Sequence, residues 1–290
     1  MKPKRFADLG PLGRVCRLGL STRGNTSLEP DDVLEAFRRG IRYFNWCCHP
    51  DGLSAAVRQL EPEKRPEMIL ALQLYARDGE GARRELDGYL RELGTGYVDV
   101  VTHYYVEHED EWAEIQSPGG AAEALRDARS EGAVRVVGVT THHRTLGAQL
   151  AREGQIDLLM IRYNAAHRGA ETDVFPVTDE LGVPVVVYTG VRWGALLKPT
   201  PDDPVGFRPP SAPDCYRFAL CHPSVSVAIM APNGRGSWRR ICRSSTTGAA
   251  LETMSTPRSA STGIASVITP GAFREERRTT EGVWSCILAS

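Results

Sequence analysis

Residues 183–188 read Val-Pro-Val-Val-Val-Tyr, and residues 68–74 read Met-Ile-Leu-Ala-Leu-Gln-Leu. Neither run alternates apolar with polar. A strand with water on one face alternates. A strand covered on both faces does not, and short continuous apolar runs are what parallel sheets buried between helices require. The flanking sequence agrees. Residues 29–40 (EPDDVLEAFRRG) place Pro and two acids at a helix start and Gly at its end. Working outward, strand-like runs at 14–20, 41–46, 68–74, 97–102, 134–139, 157–162, 183–188 and 225–231 alternate with helix-like runs at 29–40, 53–60, 82–93, 121–130, 146–153, 174–181 and 215–220. Eight strands in this alternation predict an α/β fold, a (β/α)8 TIM barrel in a single domain. No GxGxxG follows the first strand, which argues against an open dinucleotide-binding sheet.

Composition narrows the partners. Hydrophobic residues make up 41% of the chain and charged residues 24%, and the formal net charge is −1. No bulk field draws the chain to nucleic acid or to a membrane surface, and neither is expected as a partner. The seven cysteines include no CxxC, so reduced thiols in the cytoplasm are expected rather than a disulfide framework or a zinc ribbon. The opening residues lack an apolar core of signal-peptide length. Residues 235–290 differ from the rest, with eight Arg, four Glu and seventeen Ser or Thr but no Asp and no Lys. The expected organisation is a barrel over 1–234 and an atypical tail over 235–290. That tail is either poorly ordered or, the reading favoured here, translated out of frame, and the eighth helix is expected to be absent or non-standard.

Six stretches over residues 12–234 occur in an order that resembles the aldo-keto reductases. They are GIRYFNW (40–46), LRELGTGYVDVVTHY (90–104), EGAVRVVGVTTHH (131–143), YNAAHR (163–168), GVPVVVYTGVRWGALL (182–197) and ALCHPSVSVAIMAPNG (219–234). The resemblance implies hydride transfer from the reduced form of NADP or NAD, with NADP favoured, to a small carbonyl substrate, and no metal. In that family a tyrosine donates the proton, a lysine and an aspartate set its pKa, and a histidine orients the substrate. Here the aspartate position reads Asn45 and the lysine position Gln73. The tyrosine position falls on Pro50 by count, or on Asp51 with one inserted residue. The histidine position reads Tyr104, beside His103. The chain's four lysines, at 2, 4, 64 and 198, end no strand. The candidate catalytic set is therefore Asn45, His49, Asp51, Gln73, Tyr75, His103 and Tyr104. A one-residue slip along a strand reverses the face, so His103 is expected to point out of the barrel.

The cofactor side keeps more of the pattern. The resemblance implies that Thr140 and Thr141 hold the nicotinamide amide, with Asn164 nearby and Tyr188 beneath the ring. Thr189, Val191 and Gly194 would line the pyrophosphate, and Asn233, Gly234 and Arg235 would meet the 2′-phosphate. Met160 stands where the family has a glutamine. Trp46 and Trp193 are expected near the pocket, and the acidic run 107–114 in solvent. Two other functions stay open. One is a non-catalytic barrel that binds nucleotide or protein. The other is a metal-dependent lyase or hydrolase using His49, His103 and His142, with Asp51 and Cys48 nearby.

Overall fold

The computed structural model describes residues 4–22 and 28–246. Eight parallel strands close into a barrel: β1 (Leu18–Ser21), β2 (Tyr43–Asn45), β3 (Ile69–Leu74), β4 (Val98–His103), β5 (Val134–Thr141), β6 (Leu158–Arg162), β7 (Val185–Tyr188) and β8 (Val225–Met230). Each is followed by a helix: α1 (Pro30–Arg38), α2 (Gly52–Gln59), α3 (Gly79–Leu93), α4 (Ala121–Ser130), α5 (Arg144–Arg152), α6 (Phe175–Leu181), α7 (Ala212–Cys221) and α8 (Arg235–Thr246). β8 closes the circle on β1, with Ala228 opposite Leu18 and Met230 opposite Leu20, so the sheet has no free edge. This is the (β/α)8 barrel that the uninterrupted apolar strands predict.

Strand parity divides the core in two. Tyr43, Ile69, Ala71, Val100, Val136, Leu158, Met160, Val186 and Val227 fill the barrel. Phe44, Leu70, Leu72, Val101, Leu159 and Val187 pack outward against the helices. Gly138 is needed where β5 meets β6, because a Cβ there would lie 2.3 Å from the Leu158 carbonyl oxygen.

The N-terminal end of the barrel is held by polar clamps. Phe6–Asp8 and Arg14–Cys16 form an antiparallel hairpin, and its Leu9 and Val15 join the interior cluster as a plug. The expected single strand 14–20 is thus two strands. Arg17 separates them because its buried guanidinium turns to the carbonyls of Val225 (2.9 Å) and His222 (2.7 Å). On β4, the fully buried Asp99 receives Arg65 at 3.0 Å, Arg135 at 2.9 Å and the Leu70 amide at 3.0 Å.

Two expectations need correction. The eighth helix is present as α8, and its Trp238 is buried. The indole, beneath the Arg39 guanidinium at 5.5 Å, supplies the apolar anchor that the Ser- and Arg-rich composition hid. The tail beyond residue 246 lies outside the described residues. The acidic run contains a helix, Glu109–Gln116, whose Trp112 and Ile115 are buried while Glu109, Asp110 and Glu114 face solvent. A second unit, described over residues 199–208, is a loop turned on itself by Asp203 N to Thr200 O (3.2 Å) and Phe207 N to Pro204 O (2.9 Å). No described helix is long and apolar enough to cross a membrane.

Candidate active site

In these barrels chemistry gathers at the C-terminal ends of the strands, and this chain concentrates its inward polar groups there. Asn45 ends β2 and Gln73 lies near the end of β3, each 1% exposed. Gln73 Nε2 donates to Asn45 Oδ1 at 2.8 Å, and Asn45 Nδ2 donates to Ser21 Oγ at 3.4 Å. Gln73 stands beside Thr102 in register, and Thr140 Oγ1 donates to Thr102 Oγ1 at 3.0 Å. The floor of the mouth therefore carries two neighbouring sets of neutral hydrogen-bonded side chains, Gln73–Asn45–Ser21 and Thr140–Thr102. Gln73 Oε1 is a buried acceptor with no partner, and a bound amide or hydroxyl would satisfy it.

Above this floor runs a chain of rings. Tyr75 meets Tyr104 with centroids 4.6 Å apart, Tyr104 stacks on Tyr105 at 4.0 Å, Tyr105 meets His142 at 4.6 Å, and His142 meets the edge of Tyr188 at 5.5 Å. Tyr104 has the inward parity of Thr102, two residues earlier, so the structure brings Tyr75 and Tyr104 together at the mouth. Glu107 holds His142 at both its amide (2.7 Å) and its Nδ1 (3.1 Å). Tyr188 donates its hydroxyl to the Thr141 carbonyl at 2.9 Å, which fixes the ring. Burial pushes the Tyr188 phenol well above its ordinary pKa.

The remaining cofactor candidates form the β6–β7 side and the α8 end. Asn164 is fully buried, donates to Thr189 O (2.8 Å) and accepts from Ala166 N (3.0 Å). Thr141 Oγ1 accepts from His143 N at 2.9 Å. Thr189 (φ 55°), Trp193 (φ 54°) and Gly194 (φ 86°) fold the segment around Val191 tightly back on itself. Asn233 and Gly234 (φ 75°) lead into the first turn of α8. Arg235 donates to Asp32, a buried acid on α1, so it ties α8 to α1. Arg162 ends β6 opposite Tyr188. Sequence reading passed over Arg162 and the Glu107–His142 contact, because neither shows in local spacing.

His103 does not join the mouth. It points out of the barrel, as the parity argument requires, and its ring meets the Trp112 edge-on at 5.7 Å. Neither ring nitrogen has a partner. Burial, helped by the nearby Arg77 charge, pushes its pKa down to about 4 from 6.5. Between those values the unfolded chain holds a proton that the folded chain refuses. Stability contributed by neutral His103 is therefore complete above pH 6.5 and is lost as pH falls toward 4, by up to about 3 kcal/mol. His103→Phe is expected to flatten this acid limb in urea melts recorded across pH. An unchanged limb would show that other groups set it.

Three residues after β2 come together instead. Cys47 Sγ lies 3.0 Å from His49 Nε2 and 3.9 Å from Asp51 Oδ2. The loop bends over residues 48–51, with Cys48 at φ 67°, and the bend brings the three side chains together, which the linear sequence does not show. The three-histidine set expected for a metal does not form: His103 faces the helices, His142 is held by Glu107, and the Cys48 thiol donates to Gln73 O at 3.2 Å. Burial pushes the Cys48 thiol up to about 12. Trp46 is also outside the pocket. It is fully buried in the outer layer, edge-on to Tyr89 at 5.6 Å, whereas Trp193 is 69% exposed.

Known proteins share this architecture. Among solved structures, an aldo-keto reductase from Klebsiella pneumoniae in complex with NADPH superposes with a TM-score of 0.67 at 20% identity, covering 88% of this chain and 91% of that one. The holo form of an aldo-keto reductase from Bacillus halodurans superposes with a TM-score of 0.64 at 18% identity, covering 86% and 91%. An NADH-specific methylglyoxal reductase of Escherichia coli is 26% identical over 118 residues, 40% of this chain but only 35% of that relative's length. The sequence model of the aldo/keto reductase family matches residues 21–235, so the chain belongs to that family.

Proposed function

We propose that this chain reduces a small carbonyl compound with hydride from a nicotinamide nucleotide, NADPH in preference to NADH, without the family's charged proton relay. The observation that carries the reading is the Tyr188 ring, fixed by its hydrogen bond to Thr141 at the end of β7, where a flat ring can lie. Gln73 Oε1, near the end of β3, is a buried acceptor without a partner at the same end of the barrel. Arg235, Arg239 and Arg240 at the start of α8, with the amides of its first turn, suit a phosphate. When bound, the nicotinamide supplies the hydride. Tyr188 would support its ring, Thr140 and Asn164 would border it, and Tyr75 and Tyr104 bring phenols to the mouth. The preference for NADPH also draws on the Klebsiella protein, whose structure is a complex with NADPH, and the small carbonyl substrate on the Escherichia coli relative, an NADH-specific methylglyoxal reductase.

A second reading, nucleotide binding without turnover, is favoured by one feature. The Asn45–Gln73 pair carries no charge, and removing a positioned acid costs about 10²–10⁴-fold in rate. Titration separates the readings. NADPH is expected to quench Trp193 fluorescence at lower concentration than NADH, with the signal lost in Trp193→Phe. Absence of quenching by either nucleotide would sink the proposal. Quenching without NADPH oxidation across aldehydes and ketones would leave only the second reading.

A further inference from the structure

We propose that Cys47, His49 and Asp51 form a zinc site at the barrel mouth, with one coordination position left for a ligand. Each residue offers one donor atom, and the three donors already lie within 4.8 Å of one another. Sulfur and imidazole with a single carboxylate is a zinc donor set, and three protein ligands with an open fourth position is the arrangement of catalytic zinc. Tetrahedral donors at zinc bond lengths lie roughly 3.5 Å apart. The Sγ–Nε2 contact of 3.0 Å needs only to open slightly, and the Sγ–Oδ2 contact of 3.9 Å to close slightly. His49 is exposed and can adjust.

The surroundings prepare each donor. His49 Nδ1 lies 3.3 Å from the Pro50 carbonyl, which can only accept, so Nδ1 carries the proton and the Nε2 lone pair faces the sulfur. Asp51 caps α2: its Oδ1 accepts from Leu53 N (2.8 Å) and Ser54 N (3.0 Å), which holds the carboxylate with Oδ2 toward Cys47. The Thr22 carbonyl oxygen lies 3.5 Å from the same sulfur. One thiol proton thus faces the acceptor atoms of Thr22, His49 and Asp51. A divalent cation that displaces that proton satisfies the lone pairs of His49 Nε2 and Asp51 Oδ2 together with the thiolate.

The site's role rests on the hydride-transfer reading above. No charged relay stands at Asn45 and Gln73, so carbonyl reduction needs another group to stabilise the oxygen. Zinc held by Cys47, His49 and Asp51 would supply a Lewis acid to a carbonyl oxygen at its open position. The reduced nicotinamide would supply the hydride and solvent the proton, so that the carbonyl is reduced to the alcohol as the nicotinamide is oxidised.

Cobalt(II) tests the site without turnover. The full chain, stripped by dipicolinate, is titrated with Co²⁺. The expected result is one equivalent bound with a thiolate-to-cobalt charge-transfer band that Zn²⁺ displaces. Cys47→Ser and His49→Ala should weaken binding at least about a hundredfold, with circular dichroism unchanged, and Cys48→Ser should keep it. No charge-transfer band, or a band that survives Cys47→Ser, overturns the site. If the band forms but neither NADH nor NADPH quenches Trp193, the site stands and the oxidoreductase reading fails. If NADPH oxidation by carbonyls continues undiminished after chelation, the Lewis-acid role is overturned while hydride transfer stands.

Discussion

Asn45→Asp alone is expected to destabilise the barrel by about 3 kcal/mol at neutral pH, Gln73→Lys by a similar amount, and the two together by much less than their sum. The reason is burial. Each side chain is 1% exposed, and the two meet through a 2.8 Å amide hydrogen bond. A lone carboxylate or ammonium placed there is an uncompensated buried charge, and breaking a buried pair from one side costs about 3–5 kcal/mol. Introduced together, the charges compensate each other. Urea denaturation of the four proteins gives the coupling directly. Additive losses would show that the two positions do not act as a pair. The neutral couple is then best understood as a matched replacement, in which neither half is tolerated next to the charged form of the other.

The second large effect lies at the other end of the barrel. Asp99→Ala is expected to cost about 3–5 kcal/mol, because it leaves Arg65 buried without its carboxylate. It also removes the acceptor of the Leu70 amide on β3. Arg135→Ala should cost no more than about 1 kcal/mol, since that guanidinium is 43% exposed. Replacing Asp99 and Arg65 together by Leu and Met should recover much of the Asp99→Ala loss. Thermal melts of the three variants beside the unsubstituted protein decide the matter, and equal losses for Asp99→Ala and Arg135→Ala would falsify the account.

The barrel was legible because its evidence is local. Runs such as 68–74 and 183–188 state their burial on both faces without reference to the rest of the chain. The elements misread were those whose apolar contribution is a single residue. Trp238 anchors α8 within a polar, Arg-rich stretch, and Trp112 anchors a helix within an acidic one. Arg17 split the first strand through carbonyls more than two hundred positions away, which no window can see. At the site, alignment by count gave Asn45, Gln73 and Tyr104 their positions, and parity excluded His103. What local reading lacked was the meeting of side chains across loops: Glu107 on His142, the ring series from Tyr75 to Tyr188, and the Cys47 sulfur beside Thr22.

Asp99 and its arginines lie at the end of the barrel opposite the mouth. Sites well separated and without shared partners contribute nearly additively to stability. A substitution at Asn45, His49 or Tyr104 therefore leaves the clamp at Asp99 intact, and damage at the mouth is confined to the mouth. Exposed positions at the mouth such as His49 can therefore be exchanged singly at little cost to the fold, whereas the buried Asn45–Gln73 couple has to change as a pair. The exposed rim is thus the part of the mouth suited to randomisation in a library without first reinforcing the fold.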